Sequence, residues 1–377
     1  MRWLIVAFAT STRKTTHHLL SSRQPLHLAA FFDWRSKKQA MSSSSSPQQS
    51  AEKLADLDLL DLSPIEKFAH SKGDALFGYI EQCQINTSSD FGNFLDAGTG
   101  SHSLRWMASI IHRERLLANK PSSTPAPRVS MKSFTAITAD ENMRRRVFEE
   151  AKELGIESKG DIIIGNWNEG VKVAEDGGIT FASDENQNAL LEGQTFDTIL
   201  VDYLIGAIDG FSPHFQDLIF HRLMHHLAPG GRMYIIGLQP IPDSVPGDAN
   251  VFCKITKIRD ACILLANHRC YREYPLNWIE RNVQRAGLKV VESRTYPIRY
   301  DHQTMLKQIN VGRSKLKLFP SKGMATEMGK VLDELEKESL EVTKRQEGGR
   351  LTLGFDYVVV AGGRDRRKTE ANRLMSK

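Results

Sequence analysis

The chain has 377 residues, 40% of them apolar, enough to bury a full core with additions around it. Its formal charge of +5 is uneven: residues 1–40 hold seven Lys or Arg against one acid, Asp33, giving +6 there and −1 for the remainder. A near-neutral body without a basic block argues against nucleic acid as the main partner, and the absence of a run of about 18 apolar residues means that no membrane span is expected. The four cysteines, Cys83, Cys253, Cys262 and Cys270, lack Cys-x-x-Cys spacing, and His268 with Cys270 is too sparse for zinc. No metal site is expected, and free thiols fit a reducing compartment.

Residues 1–50 are basic, rich in Ser and Thr, and nearly free of acids, and they end in Ser42–Ser46 and Pro47. They read as a transit segment for a mitochondrion or plastid with a linker behind it. A secretory signal is the alternative, from the short apolar run Trp3–Ala9 behind Arg2, and a start at Met41 would leave a cytoplasmic protein. Residues 51–90 predict a helical prefix of two helices, the second starting near Pro64 and carrying Ile65, Phe68, Phe77 and Ile80. Such a prefix either caps a ligand site or covers one edge of a sheet.

Asn93-Phe94-Leu95-Asp96 is an apolar strand ending in an acid. Ala97-Gly98-Thr99-Gly100 then turns sharply into a helix reaching Leu117, and the two glycines let backbone approach a ligand closely. A Pro/Ser loop, Pro121 to Pro127, leads to a strand over Val129–Ala139 and a charged helix over Glu141–Leu154. Two apolar runs rich in β-branched residues, Asp161–Trp167 and Phe196–Tyr203, read as buried parallel strands. Leu227-Ala228-Pro229-Gly230-Gly231 ends a helix and opens a further strand through Ile236. Ala286-Gly287 caps another helix before a strand at Leu288, and Gly354–Ala361 supplies the last one. Residues 301–350 carry Met328, Val331, Leu332 and Leu335 at helical spacing, which predicts an amphipathic helix over the sheet's carboxyl edge, as core packing or as a lid. The chain therefore divides into 1–50, 51–90, a core over 91–300, an insertion over 301–350, a last core strand over 351–363 and a tail over 364–377.

The Asp-x-Gly-x-Gly turn at Asp96, Gly98 and Gly100, followed in order by the Leu-x-Pro-Gly-Gly turn at 227–231, resembles the class I S-adenosylmethionine-dependent methyltransferases over about residues 91–291. A dinucleotide-binding turn would want a third glycine where Ser103 stands, so NAD is the weaker match. The resemblance implies an α/β fold: a doubly wound, mostly parallel seven-stranded sheet with helices on both faces and the last strand antiparallel. It implies S-adenosyl-L-methionine as cofactor, with Asp96, Gly98, Thr99 and Gly100 holding its methionine end. At the family's ribose position stands Thr138 with Asp140 two residues on, and Asp140 either reaches the ribose or caps the helix at Glu141. Asn166 takes the adenine-side position, beside Trp167, which either stacks on the base or is structural.

Methyl transfer from a sulfonium needs in-line positioning and a dry site more than a strong base. Asp202 and Tyr203 end the fourth strand where the family faces acceptor and methionine. They are the leading acceptor-side candidates, with His214 close behind in sequence. The segment His268–Tyr274 lies where the family recognises acceptors, or is a solvated helix end. His221, His225 and His226 sit on the helix before Leu227, with His221 and His225 on one face turned away from the expected cleft. The expected acceptor is a small molecule. Departures at Thr138 and Asn166 keep open a catalytically reduced cofactor-binding or assembly protein. Protein or RNA methylation is a further alternative, although Asp202-Tyr203-Leu204-Ile205 stands where an amino-group methylase has Asn-Pro-Pro-Tyr. A nicotinamide oxidoreductase is the fallback.

Overall fold

The structure, a computed structural model, describes residues 74–113, 129–173, 179–181 and 190–364. The expected transit segment, the first prefix helix, the Pro/Ser loop and the tail lie outside these residues. Nine helices and nine strands are described. They are α1 (Ala75–Asn86), β1 (Gly92–Asp96), α2 (Ser101–Ile111), β2 (Met131–Thr138), α3 (Glu141–Glu153), β3 (Gly160–Ile164), β4 (Val171–Val173), β5 (Ile179–Phe181) and β6 (Phe196–Asp202). There follow α4 (Leu204–Phe211), α5 (Ile219–Met224), β7 (Leu227–Leu238), α6 (Asn250–Leu265), α7 (Leu276–Arg285), β8 (Leu288–Asp301), α8 (His302–Lys315), α9 (Lys322–Arg345) and β9 (Arg350–Arg364).

Seven strands form one sheet in the order β3-β2-β1-β6-β7-β9-β8, and β4 with β5 makes a separate antiparallel hairpin that the sequence pattern did not announce. All pairs from β3 to β7 are parallel, while β9 runs antiparallel between β7 and β8. The central strands are buried on both faces, as their β-branched runs require: Leu95, Ile199, Leu200, Val201, Ile235 and Ile236 are fully buried. One apolar layer joins α1, α2, α3, α6, α8 and α9 to the sheet, and the other joins α4, α5 and α7. The result is a three-layer α/β sandwich.

The order reverses between β1 and β6. The carboxyl ends of these strands flank the crevice in which open α/β sheets place ligands. Helix α1 is tied to the sheet rather than laid loosely on it. Phe77 stacks on Trp106 at 4.3 Å, Trp106 Nε1 donates to Glu81 at 2.9 Å, and the Tyr234 hydroxyl donates to Gln84 Oε1 at 2.6 Å. Its N-cap, Asp74, also meets His102 at 3.0 Å, which sets the start of α1 beside the helix that follows the glycine turn.

The insertion at 301–350 is two helices, not one. Both leave and re-enter the sheet at its carboxyl edge, between the end of β8 and the start of β9, and both pack with α6 through Met305, Ile309, Leu332 and Leu335. Among the described residues no helix is long and apolar enough to cross a membrane.

Candidate active site

At the end of β1, Asp96 is wholly buried. Gly98 N donates to its Oδ1 at 3.4 Å, but Oδ2 has no partner among the described residues. Burial raises its carboxyl to about 6, against the opposing pull of the Gly98 N–H. Ser103 is buried too. Its hydroxyl donates to Gly100 O at 3.0 Å and accepts from Gly100 N at 3.3 Å, closing the turn where a dinucleotide site would need glycine. That hydroxyl fills the space a third glycine would leave, which disfavours the oxidoreductase reading.

Beside this turn lies a cleft of about 530 Å³, its open mouth included. Only about 50 Å³ of it is room for a guest, below the roughly 300 to 1,000 Å³ usual for small-molecule sites, so the walls stand nearly closed on each other. Strand ends supply one wall, with Ile137, Thr138, Gly165, Asn166 and Trp167. Helix α4 supplies the other. Its residues Leu204, Ala207, Ile208 and Phe211 recur at helical spacing, so one apolar stripe faces the cleft. That stripe, directly after the fourth core strand, is the signal by which the sequence could have revealed these lining residues.

Three contacts draw the two walls together. A Cβ on Gly98 would stand 2.8 Å from Leu204 Cδ1, so the turn tolerates Leu204 only because residue 98 is glycine. The Ser212 hydroxyl donates to Asn166 Oδ1, and Asn166 Nδ2 donates to Phe211 O at 3.2 Å. Trp167 is buried and its Nε1 donates to Ala97 O at 2.7 Å, spanning from the end of β3 to the end of β1.

Several expected residues meet here: Gly98, Thr99, Thr138, Asn166 and Trp167 all line the cleft, while Asp96 and Gly100 belong to the adjoining turn and do not line it. Others have settled roles. Asp140 is the N-cap of α3, accepting from Met143 N at 3.0 Å, the helix-cap role that the sequence allowed. Thr138 is buried and donates to Ile163 O at 3.3 Å. Asn166 spends its amide on α4 instead of presenting it to the cleft.

Asp202 is buried at the end of β6. Tyr203 follows with φ 52°, a left-handed backbone that a non-glycine residue adopts at a cost of order 1 kcal/mol or more. His214 also has positive φ, but it is exposed in the loop after α4 and does not line the cleft. His221 lies on α5, and His226 is buried with Nδ1 against Gln194 O. The four cysteines are buried and free.

No family model matches the chain, and no curated relative does. Among solved structures it is similar to an S-adenosylmethionine-dependent methyltransferase from Geobacter sulfurreducens in complex with S-adenosyl-L-homocysteine. That pair shares 14% identity and a TM-score of 0.36, over 81% of this chain and 100% of that one. A second such methyltransferase, from Thiobacillus denitrificans with the same ligand, gives 13% and 0.35 over the same shares. The [4+2]-cyclase SpnF gives 13% and 0.35 over 84% and 83%. The Rossmann-like fold is established by the chain's own strand order.

The turn and cleft suit S-adenosyl-L-methionine: a buried carboxylate with an unpartnered oxygen lies behind glycine backbone that itself lines an apolar slot along three strand ends.

Proposed function

We propose that the chain transfers a methyl group from S-adenosyl-L-methionine to a small-molecule acceptor. Asp96 carries this reading. A carboxylate buried to this degree with an open oxygen calls for a cationic or hydrogen-bonding guest, and an amino-acid ammonium is one. When bound, the sulfonium supplies an already activated methyl group. Gly98, Thr99 and Gly100 would hold the methionine end, and Thr138, Trp167 and the stripe of α4 the nucleoside. The contacts across the cleft exclude water, so that the acceptor meets the methyl group in a dry, fixed geometry.

Isothermal calorimetry on the full chain tests this, with S-adenosylmethionine, S-adenosylhomocysteine and NADH as ligands. Micromolar binding of the sulfur ligands, lost at least a hundredfold in Gly98→Val, is expected. Binding of NADH alone, or unchanged affinity in that variant, would overturn the assignment. The Leu204 and Asn166 contacts also support a second reading, in which the cleft stays shut and the fold serves as a binding or assembly scaffold. A folded protein that binds neither sulfur ligand is its signature.

A further inference from the structure

The insertion at 301–350 carries charge and apolar surface that methyl transfer does not use. From His302 to Thr326 the chain holds five Lys or Arg and no Asp or Glu, in a body otherwise close to neutral. This stretch is α8, the connection 316–321 and the first turn of α9. Three of its cations, Lys315, Lys317 and Lys322, stand within eight residues around the bend. The same bend leaves two long apolar side chains in water: Leu318 is 47% exposed and Met324 43%. A single exposed apolar residue needs no explanation, but these share one bend with the lysines, and Leu264, 56% exposed, stands near the end of α6 beside it. Lys315 Nζ meets His268 Nδ1 at 3.1 Å, which sets the ends of α6 and α8 side by side.

The bend holds its own shape. Leu316 and Phe319 pack inward on the core, Phe319 N donates to Leu316 O at 3.1 Å, and Met324 N donates to Ser321 Oγ at 3.4 Å, which caps α9. The next acids along α9 are already engaged: Glu327 pairs with Lys330, and Asp333 and Glu336 pair with Arg313. Lys317 and Lys322 make no ion pair among the described residues. Their charge is therefore uncompensated, next to apolar surface that the fold does not cover.

We propose that this bend is a docking surface for an anionic lipid bilayer, with Lys315, Lys317 and Lys322 at the headgroups and Leu318 and Met324 inserted toward the acyl chains. Lysine stems lie along apolar surface while their ammonium groups stay in water, so lysines flanking exposed apolar side chains suit an interface where charge and hydrocarbon lie close together. The anionic leaflet attracts the lysines, and insertion removes Leu318 and Met324 from water. A nucleic acid would engage the lysines but leave Leu318 and Met324 in water. It would also find no free aromatic ring at the bend on which to stack a base, since Phe319 packs on the core. The proposal is independent of the methyl-transfer reading.

Vesicle flotation of the full chain tests it, with equimolar phosphatidylcholine and phosphatidylserine against phosphatidylcholine alone. The anionic vesicles should bind about tenfold tighter or more. The basic residues 1–40 are present in every variant, so differences between variants report the bend. Lys317→Gln with Lys322→Gln should weaken binding about tenfold. Leu318→Ser with Met324→Ser keeps the charges and should weaken it about threefold or more. The Tm should stay the same in both pairs, because all four side chains are exposed. Met324→Cys carrying a polarity-sensitive fluorophore gives a readout confined to the bend, since the four native cysteines are buried. Its emission should move to the blue on the anionic vesicles and stay unchanged on phosphatidylcholine. An emission that does not move, or unchanged binding in either double variant, would overturn the proposal. So would tighter binding of poly(U) RNA than of the anionic vesicles, lost in the same lysine pair, which would make the bend a nucleic-acid surface.

Discussion

The two halves of the sheet are built differently. From β3 to β6 the strands are five to eight residues long, joined through helices, and their carboxyl ends carry the buried acids Asp96 and Asp202 beside an apolar cleft. From β7 to β8 they run to 12, 15 and 14 residues and carry the two-helix insertion. The first half has the layout that holds a ligand through backbone and shape. Variants of buried residues should divide along the same line, moving S-adenosylhomocysteine binding in the first half and stability alone in the second.

The largest effect is expected at Asp96. Its folded carboxyl stands near 6, above an ordinary value of about 3.9. Between those values the folded state keeps a proton that the unfolded chain has lost, so stability is highest below about pH 4, falls as pH rises through about 6, and is flat above. The difference amounts to about 3 kcal/mol. Asp96→Asn should therefore raise the Tm of the ligand-free protein at pH 7.5 and flatten its pH profile, while weakening S-adenosylhomocysteine. A wild-type Tm that does not change between pH 4.5 and 7.5 would count against the buried, ionising carboxylate.

Leu204→Ala comes next, at about 2–3 kcal/mol of stability for truncating a nearly buried leucine. Because Leu204 leans on Gly98, its removal should open the turn, and S-adenosylhomocysteine affinity should hold or rise. A fall of more than fivefold would make Leu204 a ligand contact and not a latch. Trp167→Phe should cost about 2 kcal/mol through the lost Nε1 bond to Ala97 O and the smaller ring. It should also remove most of any change in tryptophan fluorescence on binding, since Trp167 alone of the described tryptophans lines the cleft.

How much of this was legible in the sequence follows from the same division. The turn at Asp96 and the glycine pair at 230–231 are local devices, where a few residues dictate the backbone, so they placed β1 and β7 correctly. Asp140 was ambiguous because an N-cap and a ribose ligand ask for the same residue type, and only the bond to Met143 N decides. Asn166 matched a family position, yet its amide is used by Ser212 and Phe211, more than 40 residues away. The bond from the Tyr357 hydroxyl to Tyr274 O joins positions more than 80 residues apart, and no spacing rule encodes such a meeting.

The smallest expected effect belongs to the second half and gives the cleanest separation. The Tyr357 hydroxyl donates to Tyr274 O at 2.7 Å, tying β9 to the segment between α6 and α7. Tyr357→Phe keeps the ring and removes one neutral hydrogen bond, at about 1 kcal/mol of stability. It should leave S-adenosylhomocysteine affinity where it was, since Tyr357 does not line the cleft. A shift in that affinity would show that β7 transmits strain between the halves, because Tyr357 packs over Gly237 near the carboxyl end of that strand.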